Sequence, residues 1–374
     1  MVYLNNIYTG LISFLFIAAV ITLPYAVFQY HKHGSVSKLR TVIIYSFILY
    51  MLIAYFMVIL PLPDMASTVG NTWQEHLNLI PFRQIWLYWH DKVFGIATFK
   101  AYLMSMQLWQ LLFNILLTVP FGVYMRYYFK LSLKRTILYS FLLSLFYEAS
   151  QITALFGIYP GPYRLADVED LICNTLGGAA GYYMASVFAG VLPSRDEIDE
   201  RCRAAGTRVT GMRRLWAGLF DYVCIAAVYI FFIGVVRLLY PEFNGYSIYG
   251  EVYSWSLFCL VSLVQVLITK GLTLGHAACR MVLVSENGGI ASARQLIRRY
   301  MYLWLFTEVP LIIADWLMGE RFAFFIDVMI IGLVVLSRVY FFIYFINIVL
   351  RKGKSMPHDK LSGTVYMATE VPEE

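Results

Sequence analysis

The stretch Tyr163–Gly181, YRLADVEDLICNTLGGAAG, decides how this chain is read. Its front carries Arg164, Asp167, Glu169, Asp170 and Asn174, and its back is apolar and rich in glycine. The apolar part runs on far enough to cross a bilayer, so the polar front sits at the mouth of a membrane helix. Charge at such a depth costs ~2.5–3.5 kcal/mol unless it is paired or used, and therefore marks a functional site by default. At 100° per residue, Asp167, Asp170 and Asn174 fall within about 60° of one another. Gly177, Gly178 and Gly181 continue that face, and Gly177-x-x-x-Gly181 is a small-residue seam that admits a second helix closely.

The rest of the chain agrees with a membrane setting. Of its 374 residues 60% are hydrophobic and only 14% charged, with a mean hydropathy of +0.66; soluble domains are roughly a quarter charged. Apolar runs of bilayer length recur about nine times, near 7–30, 41–61, 103–125, 136–157, 168–192, 214–240, 252–270, 300–318 and 323–350. The expected fold is an all-α, polytopic membrane bundle. The first run has no basic segment before it and no small-residue cleavage site, so it reads as a retained helix.

The net charge of +6 reports topology. Lys32, Lys38 and Arg40 follow the first run, and Arg126, Lys130, Lys134 and Arg135 separate the third from the fourth. Further basic clusters lie at 195–214 and 270–299, and Arg351, Lys352 and Lys354 follow the ninth run. Every second connection is basic, which places the N-terminus outside and the C-terminus in the cytoplasm. A nucleic-acid partner has no other support. The five cysteines are scattered singly, without metal spacing, and read as small apolar filler; no metal or cofactor is expected.

The mixed-charge segment 193–212 divides the chain into a first domain, 1–192, and a second, 213–374. It reads as a helix-poor linker.

In the first domain two more runs carry polar stripes. Gln107, Gln110, Asn114, Thr118 and Gly122 lie within about 120° of one another, and Ser140, Ser144, Glu148 and Gln151 within about 80°. Such faces point into a bundle or a wet cavity. Glu148 lies roughly 20 Å along its helix from Arg135, past the midplane of a ~30 Å core. Glu148, Gln151, Asp170, Asn174 and Asn114 are therefore expected to converge in the outer half of the bilayer. Arg164 stands three residues before Asp167 and suits an anionic head group. Serine and threonine alone read as interhelical glue; the three carboxylates read as a functional cavity.

Four blocks, LNLIPF at 77–82, FNILLTVPFG at 113–122, SLFYEASQ at 144–151 and RLADVEDLICNTLGG at 164–178, resemble the VanZ-like family in order. The family is associated with reduced susceptibility to glycopeptide antibiotics, notably teicoplanin. The resemblance carries Glu148, Gln151, Arg164, Asp167, Asp170 and Asn174 over as functional positions.

The second domain resembles the RDD membrane family. Arg214-Leu-Trp-Ala-Gly-Leu-Phe-Asp221 matches its R-x-x-A-x-x-x-D opening, and LTLGHAACRMVLV, QLIRR and HDKLSGTVY follow at 272–284, 295–299 and 358–366. The resemblance implies roles for Arg214, Asp221 and Asp359. Where the family has Gly-Lys this chain has Gly275-His276, and Arg280 stands where a glycine is expected. His276 and His358 read as solvated. Glu308 and Arg338 fall near mid-membrane and read as an ion pair.

The leading expectation is a cell-envelope role in a bacterial cytoplasmic membrane. An outer-leaflet polar pocket would bind or modify a membrane lipid or lipid-linked amphiphile. A second reading is a transporter coupled to protons or sodium through Glu148, Asp221 or Glu308. A third is an intramembrane enzyme, for which no nucleophile motif speaks. Ligand and oligomeric state are not legible in the sequence.

Overall fold

The computed structural model describes residues 2–90, 96–190, 192–240, 249–310 and 355–369, with single residues between 312 and 346. Helix dominates, and the chain separates into two compact units. The first comprises Met1–Ala19 and Lys38–Ile198, the second Val20–Ser37 and Asp199–Glu374.

In the first unit the start of α1 (Val2–His33) is followed by α2 (Lys38–Ile59), β1 (Leu77–Asn78), α3 (Arg83–His90) and α4 (Ile96–Leu103). After these come α5 (Met106–Tyr127), α6 (Leu133–Ile152), α7 (Ala154–Gly157), β2 (Ala166–Asp167) and α8 (Val168–Ala189). The helix α9 (Arg195–Gly206) crosses the division. The second unit holds the end of α1, α10 (Gly211–Leu239), α11 (Tyr249–Thr269), α12 (Leu274–Ala278) and β3 (Met281–Ser285). It closes with α13 (Ala293–Thr307), α14 (Pro357–Ser362) and β4 (Thr364–Ala368).

By length and composition four helices among the described residues can cross a membrane: Asn6–His33, Lys38–Ile59, Leu108–Tyr127 and Gly211–Leu239. The run expected at 323–350 lies mostly outside the described residues. Helix α6 shows why hydropathy alone under-reads the others. Its buried positions are Thr136, Ser140, Ser144, Tyr147, Glu148, Ser150 and Gln151, while Leu138, Phe141, Leu142, Leu145 and Phe146 are exposed. Polar groups inside and apolar groups outside is the pattern a lipid solvent selects.

The glycine seam packs α8 against α5 and α6. A Cβ on Gly177 would strike Ile115 O and Thr118 Oγ1, and one on Gly181 would strike Val119 O. Gly178 faces Ser140 Oγ, and Gly122 on α5 faces Gly178 O. Only hydrogen fits at these four places, so backbones meet and dispersion contacts accumulate where lipid supplies no hydrophobic drive. Further along, Arg126 Nη1 donates to Tyr182 O at 2.9 Å, with its guanidinium 4.5 Å from that ring's centre.

Two readings of the sequence need correction. The segment 193–212 is not helix-poor, because α9 fills most of it. Ser194 Oγ accepts from Glu197 N at 3.3 Å, Asp196 and Glu197 stand in the first turn, and Arg203 stands in the last. Ile198 and Cys202, one turn apart, are buried. Capping, dipole complementarity and an apolar stripe outweigh the charge density that suggested a loop. The fourth run, read as 136–157, also ends early. Ala154, Leu155 and Phe156 take φ of 55°, 55° and 57°, and Gly157 takes 87°, a left-handed turn closing α6. Such a turn costs roughly 1–2 kcal/mol per non-glycine residue. Thr153 Oγ1, accepting from Phe156 N at 3.1 Å, helps hold it, as does burial of Leu155 against Ile59 and Tyr159.

Within the second unit Val27 and Tyr30, from the end of α1, pack with Ala217, Cys279 and Met281. A second cluster joins Val266, Leu283, Ala291, Leu296 and Tyr300. Strands β3 and β4 pair antiparallel, from Met281 opposite Ala368 to Ser285 opposite Thr364.

Candidate functional site

The polar cluster of the first unit forms where β2 turns into α8. β1 and β2 pair in parallel, Leu77 with Ala166 and Asn78 with Asp167. This pairing explains why LNLIPF matters: Asn78 Nδ2 donates to Asp167 Oδ2 at 2.9 Å. The other oxygen of Asp167 accepts from Glu169 N at 2.9 Å, capping the first turn of α8. Glu148 reaches across from α6, and its Oε2 accepts from Asp167 N at 2.9 Å. Deeper along α8, Asn114 Nδ2 donates to Asp170 Oδ1, and Asn174 Nδ2 donates to Ser144 Oγ at 2.9 Å. Thr118 Oγ1 donates to Asn174 O at 2.7 Å and Ser144 Oγ to Asp170 O at 3.3 Å. Glu148 and Asn174 are buried; Asp167 and Asp170 are half-buried.

The seven residues singled out by sequence thus fall into three groups. Asn114, Asp170 and Asn174 are hydrogen-bonded together through Ser144 and Thr118, across α5, α6 and α8, while Glu148 and Asp167 form a second set with Asn78 at the α8 entrance. Gln151 and Arg164 instead converge on the end of α2. Gln151 Nε2 donates to Val58 O at 3.3 Å, while Arg164 Nη1 and Nη2 donate to Val58 O at 2.5 Å and Leu60 O at 2.8 Å. These are carbonyls that a helix leaves without internal partners. The guanidinium that suited an anionic head group is therefore engaged in closing a helix terminus.

The second unit gathers its charges around Asp359, which is 1% exposed. Its Oδ2 pairs with Arg214 Nη1 at 2.9 Å and its Oδ1 with Arg299 Nη1. Met356 N donates to Oδ2 at 2.8 Å. Arg299 Nη2 donates to the Tyr366 hydroxyl at 2.9 Å, and both guanidiniums stack on the Tyr366 ring, Arg214 at 4.6 Å and Arg299 at 4.9 Å. Burial opposes the Asp359 charge, but Arg299, with His358 and Arg214, outweighs it and holds the carboxyl well below the usual range.

Both histidines read as solvated are buried, which corrects that expectation. Thr273 N donates to His276 Nδ1 at 3.3 Å, which leaves Nε2 to donate to the Tyr366 hydroxyl at 3.3 Å. His358 Nε2 lies 3.4 Å from Asp359 Oδ1, so the Tyr340 hydroxyl, 2.7 Å from Nδ1, is the donor there. Burial first, and the Arg299 charge second, hold each histidine down to about 3.

Asp221 is separate from this knot. Its two oxygens accept from Thr273 Oγ1 at 2.5 Å and Gly275 N at 2.6 Å, tying α10 to the start of α12. A Cβ at Gly275 would meet Ala217 O, so the glycine of that motif is a requirement of close approach. Arg280 has φ of 52°, the left-handed region that explains why glycine is expected there. Of the proposed pair Glu308–Arg338, Glu308 is buried and Arg338 lies outside the described residues.

Residues 47–189 match the family described as VanZ/LLP1, and residues 208–363 match the RDD family. The chain joins a VanZ-like module to an RDD-family module. Neither the curated proteins nor the solved structures include a significant match to it. Both modules are membrane families, and with the apolar helices they make this a multi-pass membrane protein of cell-envelope type.

Three contributors were missed in the sequence. In the VanZ-like module Asn78 had been seen only as part of a block, and it became meaningful once β1 met β2. In the RDD module Arg299 and Arg213 had been counted as topology charges. Arg213 is fully buried, donating to Gly206 O at 2.8 Å, Cys279 O at 2.7 Å and Arg280 O at 2.5 Å. A signal for Arg299 was present: it sits one turn from Gln295, inside an amphipathic helix whose Leu296 and Tyr300 are core residues.

Proposed function

We propose that the VanZ-like module binds the polar head of an envelope amphiphile in the outer half of the membrane. The N-terminus would lie outside. The observation carrying this reading is the cluster of carboxylates and amides at the start of α8, Asn114, Glu148, Asp170 and Asn174. Structural glue between helices does not require carboxylates, which are costly at this depth. Here they stand among amides and hydroxyls with an acceptor left over, since Asn174 Oδ1 is buried and has no partner. Binding is favoured over catalysis because no nucleophile and base stand together in this cluster. It is favoured over ion transport because the carboxylates gather at the α8 entrance, while the buried stripe that continues along α6 through Ser144, Ser140 and Thr136 carries hydroxyls and no ionisable group.

The family resemblance supplies the test. Expression in a sensitive Gram-positive host is expected to lower teicoplanin susceptibility several-fold, and vancomycin susceptibility less, because the lipid-bearing drug is the one that meets a membrane-embedded site. Glu148→Gln and Asp170→Asn keep shape while removing charge, and each is expected to abolish the gain at equal membrane abundance. Full protection from both variants would sink the reading. A gradient-driven proton or sodium flux in liposomes, lost in Glu308→Gln and kept in Glu148→Gln, would replace it with the transporter.

A further inference from the structure

The amide and guanidinium groups named in the VanZ-like cluster each already serve an acceptor. Asn114 Nδ2 serves Asp170, and Asn78 Nδ2 serves Asp167. Gln151 Nε2 and Arg164 serve the carbonyls at the end of α2. Ser144 Oγ donates to Asp170 O, so toward Asn174 it can only accept. That fixes the Asn174 amide by its network, with Nδ2 on Ser144 and Oδ1 turned away. The residue is 3% exposed, and its Oδ1 has no partner. An orphaned buried acceptor costs about 1–3 kcal/mol, a deficit that a donor from outside would remove. Asp170 lies one turn before it on the same face, and Glu148 approaches the same entrance from α6.

The hydrogen-bond demand and the charge point the same way. What the cluster still offers is acceptor oxygens on carboxylates and one amide. A phosphate brings only further acceptors and negative charge. A quaternary ammonium brings charge without an N–H. A protonated primary amine brings one positive charge and three donors.

We propose that the ligand head seated here is a protonated primary amine, its N–H groups directed at Asn174 Oδ1 and the carboxylates of Asp170 and Glu148, with any phosphate held outside this cluster. The proposal rests on the reading of the cluster as a head-group site and narrows its ligand to one chemistry.

The test uses the purified full chain in detergent. Short-chain phosphatidylethanolamine is titrated beside its N-acetyl derivative, phosphatidylcholine and phosphatidylglycerol with the same tails. Dodecylamine is added as an arm that carries the amine without a phosphate. Phosphatidylethanolamine and dodecylamine are expected to bind about tenfold more tightly than the other three, a difference of ~1.4 kcal/mol. Asp170→Asn, which keeps the bond from Asn114, and Asn174→Ala are each expected to bring phosphatidylethanolamine down to the phosphatidylcholine level. Dodecylamine binding weakly while phosphatidylethanolamine binds well would assign recognition to the whole phospholipid head and overturn the amine. Equal binding of all the heads, lost in Asp170→Asn, would also overturn it and leave the head-group site standing. Binding of none, or binding indifferent to both variants, would overturn the site reading along with it.

Discussion

The two modules bury carboxylates in opposite ways. In the RDD module Asp359 is held by two guanidiniums, a backbone N–H and a neighbouring histidine, and the guanidiniums are held in turn by Tyr366. In the VanZ-like module Glu148, Asp167 and Asp170 are held by amides and backbone N–H groups. A carboxylate neutralised by paired cations is closed to a ligand, because nothing that enters can improve on its partners. One held by neutral donors keeps lone pairs in reserve. The comparison teaches that burial of charge identifies neither structure nor function; the kind of partner does.

The largest expected effect lies in the RDD knot. Asp359→Asn leaves Arg214 and Arg299 buried against a neutral side chain, and the loss should approach the ~3–5 kcal/mol typical of a broken buried pair. Glu148→Gln and Asp170→Asn should cost under about 1 kcal/mol, since they keep a hydrogen-bond acceptor of the same shape. Thermal unfolding of the three variants in one detergent decides this. A larger loss from Glu148→Gln than from Asp359→Asn would reverse the assignment of structural and functional clusters.

The next effect is a pH dependence of the RDD module. His276 and His358 are neutral when folded, with values near 3, and titrate near 6.5 when unfolded. A depressed value contributes stability above the unfolded value and loses it as pH falls. Destabilisation should therefore begin below about pH 6.5 and reach ~2 kcal/mol per histidine near pH 5. Asp359, also depressed, adds its own loss only below about pH 4. Hydrogen exchange corrected for intrinsic rates should show segments 274–285 and 355–369 opening before 144–174. Equal opening of both regions at pH 5 would remove the histidines as the cause.

The smallest effect sharpens the reading of Arg280. Arg280→Gly relieves a left-handed residue worth roughly 1–2 kcal/mol but gives up the bond from Nε to His31 O, 2.6 Å long and exposed. The two should nearly cancel, leaving stability within about 1 kcal/mol of the parent. A loss well beyond that would show that the Arg280–His31 link outweighs the backbone strain.

Membrane class, the two-module order, the inward stripes and the glycine seam were determined by the sequence alone. Each follows from composition or from a repeat of 3.6 residues, and such information is local. Asp167, Asp170 and Asn174 had to share a face whatever they met. What they met was decided only by tertiary structure. Asn78 precedes Asp167 by 89 positions, and Arg214 precedes Asp359 by 145. No periodicity links residues so far apart, so partners, and with them roles, appear only when backbones come together. The same reason explains the histidines. A polar residue in a connecting segment looks solvated until a strand pair and two helices enclose it. Arg164 shows the converse: its charge was legible, but that it would close the end of α2 depended on where that helix stopped.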